Sequence, residues 1–146
     1  MFRRLIATTY TWTPVPLRLG LAAVFIAHGS GKVLGSFGGP GFAKFTSFQT
    51  PFPFMRPSWL WMGAAALSEL VGGILVLLGF LTRFGAFLIA CVMLTAVVGV
   101  HRDAFFLPEG MEYALTLFVI TIALLISGGG AASIDLALTR GGRGRR

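Results

Sequence analysis

The stretch Trp59 to Leu81, WLWMGAAALSELVGGILVLLGFL, decides the fold. It is apolar almost throughout and long enough to cross a hydrocarbon core of about 30 Å as a helix. It nevertheless carries Glu69 near its middle. A carboxylate at that depth costs about 2.5 to 3.5 kcal/mol on insertion scales, so Glu69 is expected to face the interior of a helix bundle and to have a partner there.

Three further segments of the same kind flank this one. The first runs from Pro16 to Leu34, with Pro14 and Pro16 at its entry, where a missing backbone N–H is harmless. The third runs from Phe84 to Val100. The fourth runs from Met111 to Ile126 and is closed by Gly128, Gly129 and Gly130. The second starts at Pro57 or Ser58. The reading is an all-α protein, an integral membrane four-helix bundle. Composition agrees: 55% of the residues are hydrophobic and 12% charged, against about 25% charged in a soluble domain. The domain expected is 16–138, between an N-terminal segment 1–15 and a disordered basic tail 139–146. Arg3 and Arg4 before an apolar run suggest a secretory leader, but the run is too long and no small-residue cleavage pattern closes it, so it is expected to be retained as the first span.

The net charge of +7 comes from residues at span ends and in the tails, which argues against nucleic-acid binding. Arg3, Arg4, Arg83, Arg140, Arg143, Arg145 and Arg146 fall on one side of a four-span arrangement, and Lys44, Arg56 and Arg102 on the other. Cytoplasmic flanks are enriched in Lys and Arg, so both termini are expected in the cytoplasm. His28, Lys32, His101, Asp103, Glu109 and Glu112 then gather in the outer half. In the first outer loop, Gly35 to Pro57, the residues Phe42, Phe45 and Phe48 recur at helical spacing, which predicts a short interfacial helix with Lys44 toward water. Such a helix either anchors the loop or acts as a lid over an outer pocket.

His28 and Lys32 stand four residues apart and share one helix face. Glu69 on the antiparallel second span is their natural acceptor, and at 1.5 Å per residue the depths agree to within about a turn. The same residues serve either as a polar clasp fixing helix register or as a site for a molecule with a polar head and an apolar body. A weak repeat, a His on each ascending span and a Glu on each descending one, leaves small-solute or proton transport as another reading. Cys91 is the sole cysteine, so no intramolecular disulfide or dithiol cycle is available. Haem is not expected, because His28 and His101 lie at different depths. Metal is not expected, because no helix carries a paired ligand motif.

The segments Leu17-Arg18-Leu19-Gly20, His28-Gly29-Ser30-Gly31-Lys32, Ser68-Glu69-Leu70-Val71-Gly72-Gly73, Gly79-Phe80-Leu81-Thr82-Arg83 and Ser133-Ile134-Asp135 resemble the DoxX family of small four-span bacterial membrane proteins. The resemblance spans Leu17 to Leu138. It implies a plasma (inner) membrane location and a redox-associated subunit, because the family takes its name from a subunit of a thiosulfate:quinone oxidoreductase and some members are linked to thiol and oxidative stress. Quinone is then the expected cofactor. Its carbonyls accept hydrogen bonds from His or Lys, and quinol oxidation needs a base. Glu69 and His28 are the expected catalytic pair, with Lys32, His101 and Glu112 binding substrate. Expected partners are membrane lipid, soluble or membrane oxidoreductases, and further copies of the chain in a homo-oligomer. The competing class is a non-catalytic anchor that assembles oxidoreductases.

Overall fold

The computed structural model describes residues 2–106 and 110–141. They form seven α-helices: α1 Phe2–Leu5, α2 Pro14–Leu34, α3 Gly41–Thr46, α4 Ser58–Leu78, α5 Thr82–Thr95, α6 Glu112–Ser127 and α7 Ile134–Gly141. A 3-10 turn follows α2 at Ser36–Gly38, and a π-turn extends α5 through Ala96–Val100. There is no strand among the described residues. Three helical stretches, Pro14–Leu34, Ser58–Leu78 and Thr82–Val100, are long and apolar enough to cross a membrane. The fourth apolar segment is α6, which has 16 residues and so extends about 24 Å.

The long helices pack in chain order, α2 on α4, α4 on α5 and α5 on α6, and α6 returns against α2. Each contributes to one core, in which Leu21, Phe25, Val76, Ile89, Leu117 and Leu124 are buried. The outward faces of α4 are apolar as well: Leu67, Val71, Ile74 and Leu78 are all exposed, as expected of helices whose surroundings are hydrocarbon. The α2–α4 crossing is close because it is made by glycine. A Cβ on Gly29 would lie 2.5 Å from the backbone N of Leu70, and one on Gly73 would lie 3.0 Å from the backbone N of Ile26. Small residues at such crossings let the backbones touch.

Element boundaries differ from the hydropathy reading where local chemistry outranks apolarity. Helix α2 starts at Pro14, two residues early, with proline in its first turn. Helix α4 stops at Leu78, although Phe80 and Leu81 continue the apolar run. Gly79 takes φ 61°, and the N–H groups of Gly79 and Phe80 donate to Val76 and Leu75 carbonyls at 3.1 Å each, the paired bonds of a Schellman ending. Helix α7 runs past Leu138, so Thr139 and Arg140, read from sequence as tail, are helical. The Thr139 hydroxyl donates back to the Asp135 carbonyl at 2.8 Å. The rest of that tail, 142–146, lies outside the described residues.

The segment before α2 and the segment after α6 meet at one end of the molecule. The Thr8 hydroxyl accepts from the Gly130 N–H at 2.7 Å, and Arg140 lies 4.9 Å from the Tyr10 ring centre. At the other end, α3 packs against both α2 and α4.

Candidate functional site

Glu69 is 2% exposed, and Lys32 Nζ donates to both of its carboxylate oxygens at 2.6 Å. The crossing at Gly29 explains the pairing. Gly29 lies level with Leu70, so Lys32 starts nearer the α3 end of the molecule than Glu69 does. Side chains on a helix lean toward its N-terminus. The Lys32 stem therefore runs back along α2 away from the α3 end, Glu69 leans toward that end along the antiparallel α4, and the two converge. Lys32 Nζ also sits 5.1 Å from the centre of the Phe45 ring on α3, a cation–π contact that joins the short helix to the pair.

This ion pair borders a cavity of about 710 Å³, lined also by His28, His101, Ser68 and Tyr113. Most of its wall is apolar or aromatic, from Phe25 and Val24 on α2, Trp61 on α4, Met93 on α5 and Leu117 on α6, with Phe45 and Phe48 closing one side. His28 is exposed and has no hydrogen-bond partner among the described residues. It is the member of the cluster that Lys32 and Glu69 leave open.

His101 reaches the cavity through the π-turn. Its N–H donates to the Ala96 carbonyl at 2.9 Å, one residue wider than an α-helical bond, which re-aims the end of α5. Turns of this kind recur at functional sites. Pro51 and Phe52 of the long loop pack against Gly99 in this turn. Glu112, at the start of α6, is not among the residues lining the cavity, and Glu109 lies outside the described residues. Four of the five sequence candidates thus share one cavity: His28, Lys32, Glu69 and His101. Among the described residues no group of three His, Cys, Asp or Glu side chains could hold a metal ion.

A second polar centre, outside the set of sequence candidates, lies at the opposite end. Arg18 is 3% exposed. Its guanidinium donates from Nε to the Val76 carbonyl at 2.8 Å, from Nη2 to Leu77 at 2.7 Å, and from Nη1 to Gly129, Ala131 and Ala132 at 3.0, 3.2 and 3.1 Å. The Val76 and Leu77 carbonyls belong to the last turn of α4, where intrahelical donors run out and positive charge is favoured. Asp135, 1% exposed, accepts from the N–H groups of Leu81 and Thr82 at 2.8 and 2.9 Å and from the Thr82 hydroxyl at 2.8 Å. It thereby caps the start of α5 from a distance in sequence. Arg83 does the converse for α6, donating to the Leu125 and Ile126 carbonyls at 2.7 and 2.8 Å. The signal available in the sequence was Arg18 itself, a guanidinium one turn inside an apolar span.

The DoxX family profile matches residues 13–102, a stretch that contains Arg18, His28, Lys32, Glu69 and His101. An uncharacterized protein of Haemophilus influenzae is 31% identical over 128 residues, covering 82% of this chain and 85% of that protein. No solved structure matches significantly. With more than half of its length under the family profile, including both helices that hold the ion pair, the chain belongs to DoxX, a family of small membrane proteins.

Proposed function

We propose that this protein is the membrane subunit of a redox system, quinone-linked or serving thiol and oxidative stress, and that the cavity around Glu69 receives a molecule with a polar head and an apolar body. In this reading α2, α4, α5 with its π-turn, and α6 are the four spans of a bundle in a bacterial inner membrane. Both termini are cytoplasmic, and α3 lies in the outer interface, with Phe45 and, just beyond the helix, Phe48 along the cavity. The observation that carries the proposal is the meeting of His28, Lys32, Glu69 and His101 on one largely apolar void. Ionisable residues within membrane spans commonly mark functional sites, which supports this reading.

The residues fit a quinone. His28 lacks a partner among the described residues and keeps a ring N–H for a carbonyl oxygen. Lys32 has three N–H donors, two of which the Glu69 oxygens occupy. Phe45, Phe48, Trp61 and Tyr113 give flat apolar surface for a ring and its tail. When bound, a quinone supplies two-electron, two-proton chemistry. This chain binds its head at His28 and Lys32, excludes water with the α3 side of the cavity, and holds a proton at the Glu69 carboxylate or the His28 imidazole.

The test is purification in mild detergent followed by an absorbance scan and organic extraction. A quinone recovered with the wild-type protein and lost from His28→Leu supports the reading. Extracts without quinone from both would refute it. A second reading, a non-catalytic anchor for oxidoreductase partners, is favoured by a different observation: both oxygens of Glu69 are already paired, and no buried side-chain N or O lacks a partner among the described residues. An anchor tolerates exchange of Lys32 and Glu69 for apolar residues. A site does not.

A further inference from the structure

At the end of the molecule opposite the cavity, the N-terminal segment and α7 enclose a groove of about 710 Å³. Arg3, Thr9, Tyr10 and Arg140 line it on the polar side, with Ile6 and Leu138 among its apolar walls. We propose that this groove binds the phosphodiester headgroup of an anionic phospholipid.

Three observations carry the assignment. First, the cations here are available. Arg18 and Arg83 are taken up by helix-end carbonyls, whereas Arg3 and Arg140 have no salt-bridge partner among the described residues, and Arg140 is held in place over the Tyr10 ring. Second, no carboxylate lines the groove among the described residues. Asp135, the only acid of α7, is turned inward onto Leu81 and Thr82, so it does not neutralise Arg140. Third, the level is right. The groove is built from residues before Pro14, where α2 begins, and after Ser127, where α6 ends. That is where the apolar helices give way to headgroups. A planar guanidinium matches two oxygens of a phosphate, and Ile6 and Leu138 offer contact for the first carbons of the acyl chains. Free phosphate shares the headgroup's chemistry but leaves those apolar walls uncovered.

The test uses the full-length protein in detergent, with native mass spectrometry to titrate phosphatidylglycerol and phosphatidylcholine. Wild type is expected to retain phosphatidylglycerol in preference to phosphatidylcholine. Each arginine near a membrane surface contributes about a fivefold gain, so the double variant Arg3→Gln, Arg140→Gln is expected to bind phosphatidylglycerol about thirtyfold more weakly. Leu138→Glu, which places a carboxylate in the groove and leaves both arginines intact, is expected to lose the preference too, so the test survives misfolding of the double variant. Lys44→Gln, an exposed lysine at the other end, should change nothing. Equal losses in Lys44→Gln and the double variant would mean diffuse charge and overturn the proposal. Displacement of phosphatidylglycerol by equimolar inorganic phosphate would overturn it as a lipid site, and binding of phosphatidylcholine as tight as that of phosphatidylglycerol would do the same.

Discussion

Lys32 and Glu69, 37 residues apart in sequence, form a two-oxygen ion pair at 2.6 Å across the α2–α4 crossing, with Glu69 inside the molecule and Lys32 at the cavity edge. The pair ties α2 to α4 and so fixes the level of one helix against the other.

Breaking one side should cost more than removing both. Lys32→Met leaves Glu69 buried without a counter-charge and is expected to destabilise by about 3 to 5 kcal/mol. The double replacement Lys32→Met, Glu69→Leu is expected to recover most of that loss. Thermal unfolding of the purified proteins in one detergent measures the difference. A double variant no more stable than Lys32→Met would show that the pair does not act as a unit.

His28 should separate binding from folding. It is exposed and unpartnered among the described residues, so His28→Leu is expected to shift stability by no more than about 0.5 kcal/mol. The same variant should lose the ligand extracted from wild type. Retention of the ligand at wild-type occupancy would remove His28 from the site.

Arg18 should be among the least replaceable residues. Its removal strips a charged donor from five carbonyls, on α4 and on the loop before α7, and Arg18→Ala is expected to destabilise by more than about 4 kcal/mol. Arg18→Lys should rescue only in part, because an ammonium has three donors and no planar fork. Gly79→Ala should resemble a milder Arg18 loss, since a Cβ there would lie 2.6 Å from Arg18 Nη2 and at a φ that disfavours it. Limited proteolysis between 128 and 141 reads the loosening of this end.

Topology can be read with two single cysteines in a Cys91→Ser background. Ser47→Cys, in the long loop, should react with an impermeant maleimide on intact cells. Ala137→Cys, exposed on α7, should react only after permeabilisation. Ser133 is a poor reporter, being buried and hydrogen-bonded to Gly130 and Leu136. The opposite labelling pattern would reverse the orientation.

How much of this was legible beforehand follows from the range of the forces involved. Hydropathy and length marked the apolar helices, and Glu69 stood out because a lone carboxylate in such a stretch conflicts with its neighbours. Both are local properties, readable one segment at a time. That Glu69 needs an internal partner also followed from the cost of burying a charge. Which partner it takes did not. His28 and Lys32 were both within reach by depth, and the choice depends on the Gly29 crossing, which sets the level of α2 against α4, and on the lean of both side chains toward their own N-termini. The Arg18 and Asp135 contacts were not legible at all. Their partners are backbone groups at helix ends, present in every sequence and invisible until the chain closes and brings the ends of α4, α5 and α6 beside residues 128–135. Which segments become apolar helices, and that a buried charge needs an answer, are written in the residues themselves. Who answers that charge is settled by the assembled fold, because pairing depends on the relative level of helices whose contacts are long-range, and on orphan carbonyls and N–H groups that carry no side-chain signature.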